Sequence, residues 1–69
     1  MITLEEATNS AKKYLKDANY PLVFMVPIRS EPVPDGGFRI VFDRGLRPGT
    51  VAVVVDSSGI VQSIEASDS

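Results

Sequence analysis

The side chains with any reach towards catalysis in these 69 residues are Ser57, Ser58, Asp43, Asp56 and three lysines, Lys12, Lys13 and Lys16. A serine hydroxyl attacks only when a neighbouring base takes its proton. The chain has no His, and its lysines are confined to one N-terminal segment far in sequence from Ser57-Ser58, which excludes the usual triads. Asp43 and Asp56 would make a carboxylate pair for acid–base work. Each, however, stands where a strand is expected to end, and there an Asp side chain more commonly bonds the backbone two residues on. Without Cys or His a structural zinc has none of its usual ligands, and Asp56-Ser57-Ser58-Gly59 is too short for a calcium loop of about a dozen residues. Gly36-Gly37 precedes an expected strand, so no helix N-terminus follows to cradle a phosphate. The residues therefore read as a non-enzyme with no cofactor and no metal.

What remains is chemistry of contact. Arg44 and Arg47, three apart and flanked by glycines, present planar guanidinium groups suited to an acidic protein surface. Arg39 is expected on the same open sheet face as Val41. Glu31-Pro32-Val33-Pro34 reads as a connector, with an extended proline segment that inserts into a partner's cleft as the alternative. Net charge is −2 and the seven basic residues are dispersed, whereas phosphate backbones are held by clustered Lys and Arg. A nucleic-acid partner is not expected.

The elements that must position these residues follow from periodicity and punctuation. Thr3-Leu4-Glu5-Glu6 matches a capping box, so a helix is expected over about 3–19. Leu4, Ala7, Ala11, Tyr14, Leu15 and Ala18 make its apolar stripe, and Asn19 with Pro21 closes it. Strands are expected over about 22–28, 38–43, 50–56 and 60–65, from β-branched and alternating residues between Gly, Pro and Asp signals. In the first, Leu22, Phe24, Val26 and Ile28 share one side and Val23 and Met25 the other. Its Pro27 lacks an amide hydrogen, which marks an edge, a bulge or the strand's end. Residues 29–37 read as an extended loop or loose hairpin tip, and 66–69 as a frayed tail.

One helix followed by four strands with short connections implies a single α+β domain, an antiparallel meander with the helix on one face. In the Val-rich strand, Val51, Val53 and Val55 are assigned to the face under the helix, and Ala52 and Val54 to the other. With Met25 and Val41 as expected neighbours, Val54 would centre an open apolar patch of a few hundred Å². A domain of this length buries only roughly 60% of its unfolded surface and holds about 3–5 kcal/mol, with no disulfide to staple it. A protein partner or a second copy is therefore expected on a surface that includes Met25, Arg39, Val41, Arg44, Arg47, Ala52 and Val54. No signal peptide and no run of ~20 apolar residues is read, so the expectation is a cytoplasmic protein with no membrane contact.

Met1-Ile2-Thr3, Glu6-Ala7, Tyr14-Leu15-Lys16-Asp17-Ala18 with Pro21, Gly37-Phe38-Arg39-Ile40-Val41-Phe42 and Val54-Val55-Asp56-Ser57-Ser58-Gly59-Ile60-Val61 stand in an order that resembles the bacterial immunity protein 35 domain, also called the YrhB-type domain. The resemblance runs over most of the chain. It implies a helix before strands, and a protein that neutralises a toxin of a polymorphic toxin system by binding it directly. The PepSY-type domain is also similar, with a helix before a meander that ends in Asp-x-x-Gly-hydrophobic, but such domains are usually exported. A weaker similarity, the Glu-Glu-Ala helix start, is to potato-inhibitor-like serine protease inhibitors. A small structural or chaperone-like homodimer that covers its own open sheet face is the alternative to toxin binding.

Overall fold

Thr3 sets the start of helix α1 (Leu4–Asp17) by a reciprocal cap. The Glu6 amide donates to Thr3 Oγ1 at 3.2 Å, and the Thr3 amide donates to Glu6 Oε1 at 3.1 Å. Ile2, one residue before the cap, is buried in the same cluster as Ala7, in the manner of a hydrophobic staple. At the other end the chain leaves the helix through Asn19, whose φ of 66° is a left-handed conformation that Asn tolerates. The computed structural model describes residues 2–45 and 48–67. After α1 come a 3-10 turn (Leu22–Phe24), β1 (Pro27–Pro32), β2 (Phe38–Asp43), β3 (Thr50–Val55) and β4 (Val61–Ser67).

The four strands pair antiparallel in the order β1-β2-β3-β4, and α1 packs on one face, the α+β arrangement expected from the sequence. The β1–β2 and β3–β4 hairpins close by the same device. In the first, the Gly36 amide donates to the Val33 carbonyl and the Val33 amide to the Gly37 carbonyl; in the second, Gly59 donates to Asp56 and Asp56 to Ile60. Gly36 and Gly59 occupy the fourth position of each turn with φ of 95° and 83°, where only Gly is unstrained. Residues 33–37 are thus a tight turn rather than a loose tip.

The core lies between α1 and the sheet. Ala7, Ala11 and Leu15, spaced four apart, are wholly buried against Ile40, Phe42, Val51, Val53 and Val55. Two alanines let the helix axis approach the sheet closely, and the other members of the expected stripe, Leu4, Tyr14 and Ala18, stay exposed. The register of β4 slips at Gln62, since Val54 pairs with Ser63 and Val55 with Val61. That bulge lets Val61 and Ile64 both pack against the core although they stand three positions apart in sequence.

The first strand differs from expectation. Residues 22–28 do not form it: the Phe24 amide bonds the Pro21 carbonyl at 3.0 Å in the 3-10 turn, and pairing begins only at Pro27. The cause is the partner's length. β2 stops at Asp43, whose amide reaches the Val26 carbonyl, so residues before Val26 have no strand opposite them. Pro27 does mark a bulge, with the register shifting between Pro27 and Arg29. At the far end, β4 starts one residue later than expected and continues through Ser67.

Candidate protein-binding surface

Cross-strand register places the open-face residues in rows. Arg29, Val41, Ala52 and Glu65 form one row across the four strands, and Glu31, Arg39, Val54 and Ser63 form the next. Arg39 Nη1 pairs with Glu31 Oε1 at 3.3 Å directly across β1 and β2, a solvated pair of small energetic weight. Val41, Ala52, Val54 and Arg39 therefore come together as the sequence predicted.

The patch they make is smaller than expected, and Met25 is not in it. Met25 is buried in the core cluster on the helix side, because the 3-10 turn rotates it inward where a strand would have turned it out. Val41 and Ala52 keep only 8% and 6% of their surface exposed, being short side chains on central strands flanked by Arg29, Arg39 and Glu65. Val54, half-buried, is the main apolar group this face offers.

The exposed apolar surface sits elsewhere. Val23 is 86% exposed, and Phe24, Val26 and Ile28 each keep more than half of their surface in water. These four large side chains fall within six consecutive residues that lead into the edge strand β1. The strip abuts the connection after β2, since a Cβ on Gly45 would lie 2.5 Å from the Phe24 carbonyl oxygen and 2.8 Å from its Cβ. Gly45 has φ 77° and donates its amide to Asp43 Oδ1 at 2.8 Å, so Arg44 is held between two residues fixed by the same turn. Arg47 lies outside the described residues. Sequence periodicity missed this strip because it read Phe24, Val26 and Ile28 as one side of a strand and Val23 as the other. The available signal was Pro21, which starts the 3-10 turn just after the helix.

The carboxylates near these turns are committed to backbone. Asp56 Oδ1 accepts the amides of Ile60 at 3.0 Å and Ser58 at 2.8 Å, and Oδ2 accepts from the Gln62 side chain. The Ile60 amide foremost holds the Asp56 carboxyl below its ordinary pKa, and the bonds from Thr3 do the same for Glu6. Asp43 and Asp56 thus each make the turn bond anticipated from sequence. Among the described residues no group of three or more His, Cys, Asp or Glu side chains converges as a metal site would require. A shallow groove of about 290 Å³ runs between α1 and the β3–β4 hairpin, lined by Ser10, Lys13, Tyr14, Asp17, Gly59 and Val61. Among the described residues no helix is long and apolar enough to cross a membrane. No family model, no curated protein and no solved structure matches this chain.

Proposed function

We propose that this chain is a non-enzymatic protein-binding module of the cytoplasm, most concretely an immunity-type protein that neutralises a toxin by direct contact. The observation that carries the reading is the strip of Val23, Phe24 and Val26, exposed on a domain small enough to need its apolar residues inside. Phe24, whose backbone and Cβ lie against Gly45, supplies an aromatic of the kind that anchors protein interfaces, and Arg44 is the residue before that glycine. The open face, where Arg39 and Val54, both half-buried, reach the surface over the covered Val41 and Ala52, supplies a second, smaller contact. The resemblance of the motif order to immunity domains supports a toxin as the partner.

The test is co-expression with the product of the open reading frame next to this chain's own, read as cell survival and as complex formation by calorimetry. The expected outcome is protection by the parent chain and at least about a tenfold loss of affinity in Phe24→Asp, at unchanged melting temperature. No protection together with no measurable complex overturns the reading.

A further inference from the structure

We propose that two copies of the chain pair through the β1 edge, antiparallel about a two-fold axis at Ser30, joining their sheets into one of eight strands. The proposal goes beyond toxin binding and rests on different residues. Every residue of β1 is exposed, and the strand is the outermost of the sheet. The Val33 amide bonds the Gly37 carbonyl, and ladder alternation then turns Glu31 and Arg29 towards β2 and the Ser30 amide and carbonyl outwards. Pro27 and Pro32 withhold an amide hydrogen at either end of β1, so the edge suits a short reciprocal pairing rather than a long added strand.

Charge selects both the occupant and the register. Arg29 and Glu31 lie on the same face, two residues apart, and both are exposed. A two-fold axis along the sheet normal can pass only through a residue that opposes itself. Centred on Ser30, it sets Arg29 opposite Glu31 of the second copy, and Glu31 opposite Arg29 of the second copy. Centred on Arg29 or Glu31 it would oppose like charges, which is destabilising. Among the described residues Arg29 makes no ion pair, while Glu31 already accepts from Arg39. The pairing therefore brackets each Glu31 between two guanidinium groups and gives each Arg29 its counter-ion. Ile28, more than half exposed, comes beside Pro32 of the second copy at both ends of the seam. The strand is self-complementary in hydrogen bonding and charge, the signature of an isologous contact.

Sedimentation equilibrium of the full chain over a range of concentrations tests the pairing with charge-reversal variants. The parent is expected to form a dimer that weakens with salt. Arg29→Glu and Glu31→Arg, each checked for an unchanged circular dichroism spectrum, are each expected to dissociate it by about tenfold or more, because symmetry doubles every like-charge contact. An equimolar mixture of the two variants restores opposite charges at both contacts, so it is expected to form a mixed dimer that neither variant forms alone. A parent that stays monomeric up to about 1 mM, or a mixture no more associated than its components, overturns the proposal. Toxin binding is read at Phe24, away from these charges, so the two readings fail separately.

Discussion

At the scale of single residues, the turn and cap carboxylates tie stability to pH. Asp56 and Glu6 titrate below their ordinary values in the folded chain because each accepts backbone amides. A depressed folded pKa makes the carboxylate stabilising above its unfolded pKa of about 4, and that contribution disappears as the pH falls through the lower folded value. Acid titration of the parent should show stability falling below about pH 4, and Asp56→Asn should flatten that limb when followed by chemical denaturation. An identical acid limb in the variant would locate the pH dependence elsewhere. Thr3→Ala removes the cap hydroxyl and should cost about 1 kcal/mol, lowering the melting temperature by about 4–8 °C. Gly37 is constrained by space, since a Cβ there would lie 1.9 Å from the Val55 carbonyl oxygen. Gly37→Ala should cost roughly 2–4 kcal/mol by forcing β2 and β3 apart, a loss that thermal melting would detect at once.

At the scale of elements, the sheet is held from its middle. β2 and β3 each have a strand on both sides and face α1 with wholly buried residues, while β1 and β4 have one partner each. Amide exchange at a dilution where the chain is monomeric should be slowest in Phe38–Asp43 and Thr50–Val55 and fast at Ser30. Strong protection of Ser30 under those conditions would mean that β1 is covered within the chain. The strand boundary misread in the sequence belongs to this scale. Leu22–Ile28 has the composition of a strand, yet composition does not say whether a partner strand reaches it, and β2 ends at Asp43.

At the scale of the molecule, the two faces of β3 should respond differently to one insult. Val53 is wholly buried under α1, so Val53→Lys buries an unpaired ammonium whose cost of several kcal/mol exceeds what so small a domain holds. Circular dichroism should show an unfolded chain. Val54 faces the half-wetted side opposite Arg39 and Ser63, where a lysine keeps its ammonium in water, and Val54→Lys should melt within about 0.5 kcal/mol of the parent. If Val54→Lys unfolds as fully as Val53→Lys, the open face is not open.

What the sequence by itself determined is what local chemistry controls. The capping box at Thr3 and Glu6, the left-handed Asn19, the Asp56-Ser57-Ser58-Gly59 turn and the inward set Val51, Val53 and Val55 all follow from contacts a few residues apart or from the two-residue strand period. Short connections then left an antiparallel meander as the arrangement to expect, and the structure has it. Only the tertiary structure decided which apolar residues remain outside. Met25 turns into the core while Val23, Phe24 and Val26 stay in water, and Val41 and Ala52 are hidden on the face expected to be open. That outcome depends on where β2 ends and on which long side chains flank the central strands. Those are properties of pairing between distant segments, and hydrophobic pattern along one segment does not encode them.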